Sequence, residues 1–277
     1  MGFRINTNVA SLQAQNSLTK VNRESQESFS KLSSGQRITK ASDDAAGLAI
    51  SEKLKAEIRS SQQATRNAND GISMIQVAEG GLNETSNILT RLRELAIQSA
   101  SDTLGDAERS MTNLEYQQLK SEMDRISKVT EFNGKKLLDG TSDKYDFQVG
   151  SKNDPFQDRI TFDGSALDAS LGSIGVEGAD ISTKEGAQDS LAMLDGAIQK
   201  VSSQRAVLGA TQSRLNSTVT NLQVTSENLS AANSRIRDVD YADETAKQAR
   251  NQIISAAGTS VLAQANVSGQ AAMKLIG

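Results

Sequence analysis

The chain is predicted to be mainly α: an elongated antiparallel helical rod or coiled coil, with paired terminal helices and a small mid-chain β-hairpin region. Three observations predict this. First, Leu208, Leu215, Leu222, Leu229 and Ile236 fall seven residues apart, and Ile75, Leu82 and Leu89 repeat the spacing nearer the start. A seven-residue apolar repeat is a seam that a helix buries against another helix, so the two are expected to face each other. Second, Pro155 is the only proline, aromatics make up 3% of 277 residues and Trp is absent. Helices can therefore run long, and the bulk for a compact globular core is missing. Third, Tyr145, Phe147 and Val149 alternate with polar residues, as do Ile160 and Phe162 beyond a polar loop. That period of two reads as a small hairpin.

The first helix spans about residues 4 to 34, where Ile5, Val9, Leu12, Leu18, Val21, Phe29 and Leu32 recur at steps of three and four with little apolar bulk. Ser33-Ser34-Gly35 breaks it, and the Ser42-Asp43-Asp44 cluster is placed to cap the next helix. That helix runs from about 45 to 100, roughly 80 Å at 1.5 Å per residue. Gly71, Gly80 and Gly81 are its expected weak points, each costing about 1 kcal/mol relative to Ala. After a turn at Asp102 to Asp106, Met111, Leu114, Leu119, Met123, Ile126 and Val129 mark a third helix over about 107–130, closed by Asn133-Gly134, a pair suited to positive φ. A β-rich segment occupies about 139–186, with 163–186 rich in Gly, Asp and Ser. A long helix follows over about 187–234. Near the end Ile253, Ile254, Ala257, Val261, Leu262 and Ala265 share one amphipathic face. The domains expected are 1–44 with 235–277, holding the terminal helices, and 45–234, the rod. The two weak ends are expected to stay largely disordered in a free monomer and to order when neighbouring molecules cover them.

Composition excludes much chemistry. Cys and His are both absent, which removes disulfides, thiolate nucleophiles, the usual triads, zinc sites and the commonest general base. No enzyme activity and no cofactor are expected. Thirty basic and 34 acidic residues are spread along the chain for a net charge of −4, so no nucleic-acid footprint stands out. Ala45 to Ile50 is typical of the longest apolar stretches, far short of the roughly 20 residues a membrane helix needs, so no membrane insertion is expected. The opening Met-Gly-Phe-Arg-Ile-Asn lacks the apolar region of a secretory signal, and export is expected without a cleavable one.

Several motifs in order resemble bacterial flagellin, over roughly 1–140 and 187–277. They include Ile5-Asn6-Thr7-Asn8, Lys31-Leu32-Ser33-Ser34-Gly35, Asp43-Asp44-Ala45-Ala46-Gly47-Leu48-Ala49-Ile50 and Leu92-Arg93-Glu94-Leu95-Ala96. Near the end stand Glu227-Asn228-Leu229-Ser230-Ala231-Ala232, Ser234-Arg235-Ile236-Arg237-Asp238 and Gln264-Ala265-Asn266. The short middle resembles a flagellin with inner domains only. The resemblance implies a structural subunit that polymerises into the extracellular flagellar filament, the propeller of swimming. Implied partners are other copies of the chain, the type III flagellar export apparatus, an export chaperone, the filament cap and hook-junction proteins. It also implies recognition of the free monomer by an innate immune receptor, Toll-like receptor 5, through the positions matching Arg91, Leu95 and Glu115. Ile5, Val9, Leu12, Ile253, Ile254, Val261 and Leu262 become the terminal assembly faces.

Three rival readings are weaker. A hook-filament junction or accessory protein shares the terminal design but not this density of filament motifs. A chemoreceptor rod normally accompanies membrane spans and lacks a β-rich middle. A peptidase insert needs a His-Glu-x-x-His core, and His is absent. The group Asp238, Asp240, Asp243 and Glu244 reads as a solvated turn or intersubunit ion pairs, since the Gly and closing Glu of a calcium loop are missing. Asp43-Asp44 reads as capping rather than an acid/base pair, because adjacent residues do not converge on one atom.

Overall fold

A computed structural model describes residues 7–141 and 144–273; Ile5 lies outside the described residues. Helices α1 (Val9–Ser34), α2 (Ala45–Ser99) and α3 (Asp106–Val129) are followed by strands β1 (Glu131–Phe132), β2 (Lys135–Lys136), β3 (Lys144–Gln148) and β4 (Arg159–Asp163). A 3-10 turn (Gly164–Leu167), the one-turn helix α4 (Leu171–Ile174), α5 (Lys184–Arg237) and α6 (Tyr241–Met273) complete the order. The fold is mainly helical with two small antiparallel strand pairs, as the periodicities require. Two compact units emerge, Met1–Ala56 with Asn228–Gly277, and Glu57–Glu227.

The larger unit holds the apolar core. Along α2 one buried stripe runs through Ala64, Ala68, Gly71, Ile75, Ala78, Leu82, Thr85, Leu89, Leu92, Ala96 and Ser99, alternating steps of four and three without a break, with Met74, Ile88 and Leu95 buried beside it. That 3.5-residue period keeps one stripe facing a partner helix. On α5 the stripe is Ala187, Ser190, Leu194, Ala197, Val201, Leu208, Thr211 and Leu215. Both stripes enter one buried cluster. Ion pairs fix the direction: Arg93 meets Asp195 at 2.7 Å and Glu79 meets Arg205 at 4.0 Å, so the chains run antiparallel. The α5 seam begins earlier than Leu208, at Leu194 and Val201. Alternate positions carry Ser, Ala and Thr, so the small half of the stripe escapes a search for large apolar residues.

Two glycines on α2 are docking points rather than weak points. A Cβ at Gly71 would stand 2.9 Å from the Phe147 ring, and one at Gly81 would stand 2.6 Å from Leu138 Cδ1. The bare backbone admits the β3–β4 hairpin at the first and the segment after β2 at the second. Gly80 meets nothing within 4 Å. In the hairpin Tyr145 pairs with Phe162 and Phe147 with Ile160, and the Tyr145 and Phe162 rings stack at 6.4 Å. Asn133 (φ 50°) and Gly134 (φ 75°) make the two-residue turn between β1 and β2.

The Gly/Asp/Ser-rich stretch after β4 is not a solvent loop. Leu167, Ala169, Ile174, Val176, Ala179 and Ile181 are all buried, and each contributes to the core. Lys200 donates to the Ser173 carbonyl, and Gln204 to those of Ala166 and Asp168. These bonds satisfy strap carbonyls that pair with no strand. Arg109 does the same at the end of α2. Its buried guanidinium donates to the Ser99 carbonyl at 2.9 Å and the Ser101 carbonyl at 2.9 Å, with Asp106 at 3.0 Å.

Candidate assembly surface

The smaller unit pairs the two ends of the chain, and its interior is polar. Helix α1 turns Ser11, Ala14, Leu18, Val21, Ser25, Ser28 and Leu32 inward or half-inward. Helix α6 does so with Glu244, Gln248, Asn251, Ser255, Gly258, Leu262 and Ala265. Both sets step by three and four, as antiparallel coiled-coil seams do. Ser28 Oγ donates to Glu244 Oε1 at 2.6 Å, and Ser11 Oγ to Asn266 Oδ1 at 2.8 Å. The Asn8 side-chain amide donates to the Ala265 carbonyl at 2.9 Å. A Cβ at Gly258 would stand 3.0 Å from Leu18 Cδ2, so glycine brings the helices close there. Ile38 is the one fully buried apolar side chain among the described residues of this unit.

The two helix breaks are joined to each other. Gly35, at φ 68°, ends α1. The Arg37 N–H donates to the Arg237 carbonyl at 2.7 Å, and the Val239 N–H to the Gly35 carbonyl at 3.1 Å, around a bridge of Gln36 and Asp238. The Arg37 guanidinium donates to the Ile236 carbonyl, while Arg237 holds Glu52 at 2.6 Å. Asp44 caps α2 by accepting from the Gly47 N–H at 2.8 Å. Asp43 accepts from the Thr39 and Lys40 N–H groups, which lower its pKa. Asp240 caps α6 through the Ala242 N–H, and Asp243 pairs with Lys247. The four acidic residues thus have separate tasks, and no metal-holding group occurs among the described residues.

The structure splits the faces drawn from sequence. Leu18, Val21 and Leu32 lie half-buried at the seam, whereas Val9 and Leu12 are about half exposed and Phe29 is 66% exposed. On α6, Ile253 (70% exposed), Ile254 and Val261 point outward, with Leu262 half-buried on the inner side. The single α6 face expected from sequence is therefore two faces, because the polar seam of Glu244, Gln248, Asn251 and Ser255 carries no apolar signal. Ile50 and Tyr241 add to the exposed apolar surface and were missed for want of a periodic partner. Of the heptad residues, Ile75, Leu82, Leu89, Leu208 and Leu215 are fully buried; Leu222, Leu229 and Ile236 are only half-buried.

Arg91 and Glu115 come together. Arg91 donates through Nε and Nη2 to Glu115 Oε1, at 3.1 and 2.8 Å, and through Nη1 to Glu94 at 2.9 Å. The Glu115 bonds raise the Arg91 pKa further. Leu95 does not join them: it is 2% exposed, packed in the core of the larger unit. A side chain without surface can act on a partner only by holding its helix in place.

A helical chain whose ends pair through a polar seam, leaving apolar side chains outward, defines a class of structural subunits that complete their burial in an assembly. Residues 5–143 match the bacterial flagellin N-terminal helical region, and 191–276 match the bacterial flagellin C-terminal helical region. A flagellin of Halalkalibacterium halodurans is 44% identical over 272 residues, spanning 98% of this chain and 99% of that one. The crystal structure of Bacillus cereus flagellin matches at a TM-score of 0.50 and 31% identity, covering 61% of this chain and 94% of that one. A putative flagellar hook-associated protein from Vibrio parahaemolyticus matches at a TM-score of 0.59, covering 71% of this chain and 100% of that one; at 15% identity it shares the fold alone. The chain belongs to the bacterial flagellin family, in a short form without a large variable insert. It is a structural subunit of the flagellar filament and not an enzyme. No helix among the described residues is long and apolar enough to cross a membrane.

Proposed function

We propose that the unit formed by α1 and α6 builds the inner tube of the filament, and that the unit of residues 57–227 is its rod domain. One observation carries this. Among its described residues the smaller unit buries a single apolar side chain, Ile38, while Val9, Leu12, Phe29, Ile50, Ile253, Ile254 and Val261 stay exposed. Exposed apolar side chains in this number suit an interaction site, and each is worth about 1.5–3 kcal/mol when covered. Identical neighbours in a polymer would cover it.

The same weakness suits passage through the flagellar export apparatus as an unfolded chain, escorted by an export chaperone, with folding beneath the filament cap beyond the hook-junction proteins. A seam of hydroxyls, amides and one carboxylate opposes unfolding less than a leucine seam would. For the free monomer we propose recognition by Toll-like receptor 5 through Arg91 and Glu115, whose exposed ion pair presents both charges on one surface. Leu95 supports that surface from below.

Seeded elongation tests the inner-tube reading. An Ile253→Asp, Val261→Asp variant and a copy lacking the last forty or so residues are added to short filament seeds. Both should stay folded in the rod unit, by urea unfolding, yet fail to lengthen the seeds. Normal elongation by either would overturn the assignment. If the intact chain itself fails to elongate seeds, a junction or accessory role takes its place.

A further inference from the structure

The only proline of the chain, Pro155, follows an aspartate, so the chain holds a single aspartyl-prolyl bond. That bond lies in the loop between β3 and β4, where Pro155 is exposed and Phe156 is 95% exposed, so water reaches it. Its amide is tertiary, and the proline nitrogen carries no proton. Such a nitrogen is protonated and expelled more readily than that of an ordinary peptide bond.

The loop arranges the atoms around this bond. The Asp154 carbonyl accepts from the Asp158 N–H at 2.9 Å. A backbone donor at that distance stabilises an oxyanion forming on the carbonyl oxygen. The Asp154 carboxylate folds over the same bond: its Oδ1 accepts from the Phe156 N–H at 2.9 Å and the Gln157 N–H at 3.3 Å, both beyond Pro155. No bond to its Oδ2 occurs among the described residues. Asp158 keeps the loop in this shape. Its side chain accepts from the Asp154 N–H at 3.0 Å, and its carbonyl accepts from the Val149 and Gly150 N–H groups just after β3. A Cβ on Gly150 would collide with Asp158 Oδ1, so glycine admits that approach. The other charged side chains around the loop, Lys152, Arg159 and, on α5, Arg214, are cations.

We infer that this loop is a self-cleaving site, at which Asp154 cuts its own bond to Pro155 in mild acid. Oδ2 attacks the Asp154 carbonyl carbon and closes a cyclic anhydride, while the C–N bond breaks and the Pro155 nitrogen takes a proton from the acidic solvent. Water then opens the anhydride, leaving a carboxyl group on the Asp154 side chain and another at the new C-terminus, with Pro155 as a new N-terminus. Attack within one residue gains its rate from the held geometry. The cut chain stays assembled, because the β3–β4 pairing, the shared α2 and α5 core and the Ser28–Glu244 bond each join residues before the cut to residues after it. The inference stands apart from the filament reading.

The test compares folded with unfolded chain at the lowest pH at which circular dichroism still shows the helices intact. The full chain is held there with and without urea, and samples are read by denaturing gel and intact mass. Two fragments, 1–154 and 155–277, are expected, appearing about tenfold faster without urea. In native buffer they should leave a sizing column as one species. Asp154→Ala should abolish the cut in both states. Gly150→Ala keeps the bond but displaces Asp158, and should slow the folded chain to the rate found in urea. Equal rates with and without urea, or no fragments from the folded chain, overturn the inference. So does a cut that survives Asp154→Ala.

Discussion

Ser28 on α1 donates a 2.6 Å hydrogen bond to Glu244 on α6, and both side chains are buried. The two residues stand 216 positions apart, so this bond ties one end of the chain to the other. A buried carboxylate at a helix seam gives register and little net stability, because its desolvation offsets most of what the bond returns. Lys247 at 3.4 Å is its nearest cation. The terminal pair is thus specified more than it is stabilised.

That balance is measurable. A Ser28→Leu, Glu244→Leu variant should slow amide hydrogen exchange across α1 and α6 at least tenfold in the monomer, whereas Ser28→Ala alone should speed it. Truncating one partner leaves a buried acceptor short of a donor, at about 1–3 kcal/mol. Faster exchange in the double variant would show that the polar pair is the stabilising element.

Leu95→Ala and Arg91→Ala should separate cleanly. Leu95 is 2% exposed, so its truncation opens a cavity and should cost about 2–5 kcal/mol in urea unfolding. The Arg91 ion pairs are exposed, and their loss should leave the unfolding midpoint nearly unchanged. In receptor reporter cells Arg91→Ala should then lose signal without losing fold.

Tyr116 is fully buried, and burial pushes its hydroxyl up to about 12. A folded-state value above the ordinary 10 favours the neutral phenol, so its stability contribution is complete below pH 10 and fades as pH rises toward 12. Over that window the native chain should lose about 2–3 kcal/mol more than Tyr116→Phe does, as followed by circular dichroism. Parallel alkaline profiles would show that the hydroxyl reaches solvent.

Adjacent glycines on α2 should respond in opposite directions. Gly80→Ala meets open space and should stabilise by about 1 kcal/mol. Gly81→Ala would drive a methyl into Leu138 and Thr130 and should destabilise by about 1–3 kcal/mol. Thermal melts of the two variants settle the sign.

Much of this was legible in the chain itself. Helix extents follow from one proline and a seven-residue apolar repeat, and the hairpin strands follow from alternation, because 3.6 and 2 are backbone periods that any apolar marker reveals. Absent Cys and His likewise bound the chemistry without coordinates.

Other features needed three dimensions. The inward faces of α1 and α6 are polar, so hydropathy pointed to the outward residues, and only the packing told Leu262 from Val261. Leu95 and Arg91 sit four positions apart, yet one is core and the other surface. The strap over 163–186 shows only its Gly, Asp and Ser content in the sequence because its apolar residues keep no fixed period, and Gly71 and Gly81 read as weak points until Phe147 and Leu138 are seen against them. Sequence determined which segments are helices and which stripes must be buried, since those are local and periodic properties. Tertiary structure alone decided what each stripe is buried against and which apolar side chains remain for neighbouring copies, since that depends on residues far apart in the chain.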